Sequence, residues 1–122
     1  ESEKMMTEAI REFQAAVDLS RRNPEHVAAL GHAYALVGRA DAARKILADL
    51  TSGRTQGVPQ AYDVAIVYVG LGEQSNALEW LERAFATHSP NMSFLGADPR
   101  WDSIRSDPRF KDLLRRMNLP MS

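Results

Sequence analysis

The side chains best able to do chemistry in this sequence are few and scattered. Three histidines stand at positions 26, 32 and 88, and cysteine is absent. Without cysteine there is no thiolate nucleophile and no disulfide framework. His26 and His32 are six residues apart, which places them on different faces of a helix turning about 100° per residue. Neither has cysteine or paired carboxylates at the spacing a metal ion requires. A Ser-His-Asp relay needs spatial neighbours that no motif announces. The glycines form neither a Gly-x-Gly-x-x-Gly turn nor a phosphate-binding loop, and Gly38 and Gly72 are placed where helices must end. The expectation is a chain with no catalytic residue, no metal and no cofactor, its histidines lying on the surface or in a groove.

The C-terminal stretch carries a denser set of charges. Arg100, Arg105, Arg109, Lys111, Arg115 and Arg116 alternate with Asp98, Asp102, Asp107 and Asp112. Interleaved signs read as a solvated mixed-charge surface with helix-dipole compensation rather than a phosphate-binding stripe. Across all 122 residues the formal charge is −1, which argues against a general nucleic-acid or membrane-surface binder. The composition is 44% hydrophobic and 25% charged, as in a globular domain, and the length suits one domain with a modest core. No apolar run approaches the ~18 residues of a membrane span. The chain opens at Glu1 with no initiator methionine and no signal peptide. It reads as a fragment or processed product.

The elements that position these residues follow from a recurrence. Ala9, Ala43 and Ala77 are spaced by 34, as are Phe13, Leu47 and Leu81, and Ala16, Leu50 and Ala84. Tyr34 and Tyr68, and Gly38 and Gly72, share that step. Many coincident positions at one period in the 20–50 range indicate a stacked solenoid of repeated units. Each unit is a pair of antiparallel helices. Gly31 and Ala65 leave gaps on the first helix, and Ala43 and Ala77 on the second. Such gaps let the helices approach closely while larger side chains fill the layers between. Gly38 and Gly72 fall where the first helix must stop and reverse.

Taken in order, residues 3–22 predict one helix with Ile10, Phe13 and Val17 in its stripe and Ala16 and Leu19 on the flank. In repeat register this is the second helix of a unit whose first helix is missing. Asn23-Pro24 opens the next helix, to about Val37, followed by another from about Ala40 to Leu50. Thr51 to Val58 is a turn. Pro59 starts a helix to about Leu71, and Glu73 to about Thr87 forms the last of the set. Trp80 lies beside its stripe, placed to pack on the segment that follows. Asp98-Pro99 and Asp107-Pro108 each read as a cap plus first-turn proline, predicting short helices near 99–105 and 108–117. Trp101 with Ile104, and Phe110 with Leu113, Leu114 and Met117, give two apolar patches suited to covering the exposed end of a solenoid. The resulting division is a half repeat at 1–23, repeats at 24–57 and 58–91, and a capping segment at 92–122.

This pattern resembles the tetratricopeptide repeat family over roughly residues 3–90. The family's early tryptophan is Val27 in one copy and Ala61 in the other, and its closing proline is replaced by Thr55 and Ser89. The resemblance implies an all-α, right-handed α–α superhelix with a C-terminal helical cap. It also implies a concave peptide-binding groove, lined by Glu25, Ala28, His32 and Ala35 from one copy and Pro59, Tyr62, Ile66 and Val69 from the next. The family's carboxylate-clamping variety uses lysine and asparagine there, and this chain has Ala28, Ala29, Tyr62 and Asp63 instead. The implied ligand is an apolar helix or extended peptide.

A second likeness, over roughly residues 59–120, runs through Tyr62-Asp63-Val64-Ala65-Ile66-Val67-Tyr68, Gly70-Leu71-Gly72, Glu79-Trp80-Leu81-Glu82-Arg83-Ala84, Asp98-Pro99-Arg100, Ser106-Asp107-Pro108-Arg109-Phe110 and Leu113-Leu114-Arg115-Arg116-Met117. It is similar to the C-terminal repeats of bacterial multidomain signalling and transcription-regulatory proteins. That similarity implies a non-enzymatic protein-binding arm of a larger protein, with the cytoplasm as default compartment and the periplasm as the other. The alternative is a self-associating structural unit, a homodimer formed through the unpaired half repeat.

Overall fold

In a computed structural model, residues 2–20, 23–52, 61–89, 92–93 and 95–117 are described, with backbone alone for 2–6. Five α-helices come first: α1 Ser2–Leu19, α2 Pro24–Leu36, α3 Ala40–Thr51, α4 Ala61–Gly70 and α5 Gln74–Ala86. A 3₁₀ helix, Pro99–Ile104, and a final helix, α6 Pro108–Arg116, follow. No strand occurs among the described residues. Successive helices pack as neighbours, α1 on α2, α2 on α3 and α4, and α4 on α5. The segment Gly53–Val58, Pro59 at the expected start of the fourth helix, and Arg21 and Arg22 at the expected end of the first lie outside the described residues.

Among the described residues, three Xaa-Pro sites start helices as their chemistry demands. Asn23 accepts from the Glu25 N–H at 2.9 Å, Asp98 from Arg100 at 3.0 Å and Asp107 from Arg109 at 2.9 Å. Each carboxylate or amide satisfies a first-turn donor that has no partner within the helix. The 99–104 segment winds as a 3₁₀ helix, tighter than an α-helix, with Ile104 and Trp101 both turned inward. That suits a run too short to sustain α-helical hydrogen bonds.

The turns repeat with the same geometry. After α2, Gly38 N–H donates to Ala35 O at 3.1 Å and Arg39 N–H to Tyr34 O at 2.9 Å. After α4, Gly72 N–H donates to Val69 O and Glu73 N–H to Tyr68 O, both at 3.1 Å. After α5, His88 and Ser89 donate in the same way to Phe85 O and Ala84 O. All three are the paired-bond helix ending in which the pivot residue is left-handed. The pivots are Gly38 at φ 83°, Gly72 at φ 79° and His88 at φ 55°. A left-handed residue with a β-carbon costs about 1–2 kcal/mol relative to glycine. Gly38→Ala and Gly72→Ala should therefore each lower unfolding stability by about 1 kcal/mol, and His88→Gly should raise it by a similar amount. Urea titration of the three variants checks the opposite signs.

Two clusters form the core. One joins Val17 of α1, Val27, Ala28 and Leu30 of α2, Ala43, Ile46, Leu47 and Leu50 of α3, and Val64 and Val67 of α4. The other joins the opposite face of α4 to α5 and to the C-terminal segment, including Leu95, Trp101, Ile104, Phe110, Leu113 and Leu114. Ala43, Ala65 and Ala77, three of the expected gap residues, are fully buried. Trp80 packs against both clusters, so it belongs to the junction of the two cores and not only to the following segment. Leu19, the last residue of α1, is 86% exposed, and Leu36 at the end of α2 is 58% exposed. Leu19 thus lies outside the stripe that its flank position suggested. Ion pairs add surface ties. Arg44 meets Glu73, and Arg116 meets Glu82 at 2.6 Å while covering the Phe85 ring at 5.0 Å. Pairs this exposed contribute little stability. No described helix is long and apolar enough to cross a membrane.

Candidate functional site

The first turns of α2 and α4 stand beside the segment that leads into the 3₁₀ helix. Together they enclose a cleft of about 280 Å³ lined by Glu25, Tyr62, Asp63, Ile66, Asp98 and Arg100, with Ala97 and Pro99 on the same wall. Glu25 is exposed at the rim and Asp63 is buried at 3%. One hydrogen-bonded chain fixes the wall. Trp101 Nε1 donates to the Tyr62 hydroxyl at 2.9 Å, and that hydroxyl donates to Asp98 Oδ2 at 2.9 Å. Arg100 grips the same carboxylate through Nε at 3.0 Å and Nη2 at 2.8 Å. Such a fork is geometrically specific as well as charge-assisted. Arg105 holds the preceding loop from outside, donating to Gly96 O at 3.0 Å and Asp98 O at 2.8 Å. The Tyr62 and Trp101 rings meet edge to face with centroids 5.3 Å apart.

Burial sets the titration of these groups. It raises the Tyr62 hydroxyl far above its usual range, so the phenol serves as a donor and stays protonated. Burial also opposes the charge on Asp98, but the hydrogen bonds from Arg100, its charge and the Tyr62 hydroxyl outweigh it. The carboxyl ends below its ordinary value. Arg100 shows the mirror balance: burial disfavours its charge, and Asp98 more than restores it.

His32 of α2 lies beside this wall. A β-carbon at Gly70 would stand 2.9 Å from His32 Cδ2. Burial, then the nearby Arg100 charge, lower the imidazole to about 4, with Asp98 pulling the other way. His32 is therefore neutral in the folded protein at pH 7. The unfolded chain takes up a proton near pH 6.5, while the folded chain does so only near 4. Stability conferred by neutral His32 is thus complete above pH 6.5 and lost as pH falls toward 4, by at most about 3 kcal/mol. The low-lying Asp98 makes its own contribution disappear only at still more acid pH. His32→Gln should flatten the fall between pH 7 and 4.5 in urea titrations, and an unchanged fall would assign it to other groups.

The eight residues expected to line a groove are distributed unevenly, with Glu25 exposed at the rim of the cleft. Ala28 is fully buried in the first core. Tyr62, Ile66 and Val69 are buried in the second, the core shared with the C-terminal segment, although Tyr62 and Ile66 still border the cleft. His32 and Ala35 are half-buried on α2. Pro59 lies outside the described residues. Sequence reasoning placed Asp98 as a cap and Trp101 in an apolar patch, but it did not place them against Tyr62. Their contact joins residues 36 and 39 apart and has no periodic signature. The arginines of the tail are each engaged by a carboxylate: Arg100 by Asp98, Arg105 by Asp102, Arg109 by Asp107, Arg115 by Asp112 and Arg116 by Glu82. Among the described residues no group of three or more His, Asp or Glu side chains is assembled to hold a metal ion. Set against protein-family models, curated proteins and solved structures, the chain matches none.

Proposed function

We propose that this chain is a non-enzymatic protein-interaction module of tetratricopeptide type, a right-handed α–α superhelix closed by a C-terminal helical cap. In this reading it is the regulatory arm of a larger bacterial signalling or transcription-regulatory protein. The observation that carries the proposal is the 34-residue recurrence expressed as equivalent geometry. Gly38 and Gly72 take the same left-handed φ and end α2 and α4 with the same pair of hydrogen bonds. Ala43 and Ala77 are buried at equivalent places on α3 and α5. Units that repeat in this way build a rigid scaffold whose function is shape-complementary binding.

The binding surface we favour is the cleft between α2, α4 and residues 97–100, with His32 and Ala35 continuing it along α2. An extended peptide from a protein partner, with apolar side chains against Ile66 and Tyr62, fits its walls. The test is to select peptides on the intact chain from a randomised display library and to measure their affinity for Glu25→Arg. Glu25 is exposed, so the variant should fold. A loss of about tenfold or more supports the surface, and unchanged affinity overturns it.

A second reading is favoured by Leu19 and Leu36, the large apolar side chains that are exposed among the described residues. It is self-association through the half repeat. Light scattering over a concentration series separates the two, since a monomer throughout removes the second.

A further inference from the structure

The charges around the cleft favoured above are unequal. Among the described residues that line it, the carboxylates are Glu25, Asp63 and Asp98 and the one cation is Arg100. Arg100 is already committed. Its fork neutralises Asp98, whose side chain is 8% exposed, and Asp63 lies close enough to favour the same guanidinium charge. His32, beside this wall, is neutral at pH 7 and adds no positive charge. Glu25 and Asp63 stand in the first turns of α2 and α4. A helix N-terminus offsets about half a negative charge, so these two ends leave the cleft negative. The rest of the wall is largely apolar, with Ile66 buried and Ala97 and Pro99 exposed. Walls of low dielectric concentrate the field of the charges between them.

We propose that the cleft selects its extended peptide by one basic side chain, arginine or lysine, seated between the first turns of α2 and α4. This rests on the reading of the cleft as the binding surface and names the chemistry of its ligand. The methylene stem of such a side chain covers Ile66, Ala97 and Pro99 while its cationic head meets the carboxylates. A space of about 280 Å³ holds one long side chain and leaves the flanking peptide on the rim. An acidic side chain meets the opposite balance. It reaches Arg100 only by displacing Asp98, and a buried carboxylate stripped of its counter-charge is strongly unfavourable. Like charge at Glu25 and Asp63 adds to the rejection.

The experiment titrates the isotopically labelled intact chain with three capped peptides and follows amide chemical shifts. The probes are acetyl-Leu-Arg-Leu-amide, the same peptide with norleucine for arginine, and the same with glutamate. Saturable shifts are expected at Glu25, Asp63, Ile66 and Ala97, with the arginine peptide about fivefold tighter than the norleucine peptide and the glutamate peptide weakest. Glu25→Gln keeps the size of an exposed side chain and removes its charge. It should weaken the arginine peptide about two- to fivefold more than the norleucine peptide. If the norleucine or glutamate peptide shifts the same residues at equal or lower concentration, or Glu25→Gln weakens all three alike, the basic specificity is overturned while the cleft stands as a binding surface. If no probe shifts these residues up to its solubility limit, or all shifts map elsewhere, both the specificity and the surface are overturned.

Discussion

Trp101→Ala should remove about 3–5 kcal/mol of unfolding stability, a large share of the roughly 5–15 kcal/mol that holds a domain of this kind together. Three losses coincide at this residue. Its side chain is fully buried among Tyr62, Ile104 and Phe110 in the second core. Its ring is the edge-to-face partner of Tyr62. Its Nε1 is the donor that helps fix the Tyr62 hydroxyl on Asp98. Trp101→Phe retains most of the apolar contact and loses the donor, for an expected cost of about 1–3 kcal/mol. Urea unfolding followed by circular dichroism gives both values. Hydrogen exchange should show the C-terminal segment, α4 and α5 opening together, because they share one core. A loss below about 1 kcal/mol for Trp101→Ala would mean that the tail contributes little to that core.

Gly31→Leu should be nearly as damaging, through overpacking. A β-carbon at Gly31 would lie 2.8 Å from Ile46 Cγ2 and 3.0 Å from Val67 Cγ2. Those methyls belong to α3 and α4, so a longer side chain has to push α2 away from two neighbours at once. Ile and Val are branched at the β-carbon and turn aside only with strain. Overpacking of a close-packed core costs about 1–3 kcal/mol, and leucine at so tight a crossing should reach the upper end or beyond. Gly31→Ala should lose less, because alanine regains about 1 kcal/mol of helix propensity. Thermal unfolding of the two variants orders them, and an unperturbed Gly31→Leu would contradict the close α2–α3–α4 approach.

The features legible in sequence are those that depend on local chemistry. Asn23-Pro24, Asp98-Pro99 and Asp107-Pro108 mark their helix starts to the residue. Gly38 and Gly72 mark the turns because their left-handed φ excludes most other residues. The third turn of this type pivots on His88, and histidine announces no such conformation. The apolar stripes gave the core, but not which stripe faces which neighbour. Trp80 shows the difficulty, since its position beside a stripe is equally compatible with either core. The candidate groove was the least legible part. Its residues were assigned by analogy with an open concave face, whereas Tyr62, Ile66 and Val69 are buried in one core together with residues of the C-terminal segment. Helical spacing marked the apolar patches of the tail, but which α4 residues they meet depends on tertiary packing and is not written in that spacing.

The central claim is that the face shared by α2 and α4, beside the wall at 97–100, is where a partner binds. Amide shift mapping of the intact chain with a display-selected peptide tests this most directly. The account predicts shifts centred on Glu25, His32, Ile66 and Ala97–Arg100. Shifts confined to other faces, or no selected peptide that binds at all, would contradict it.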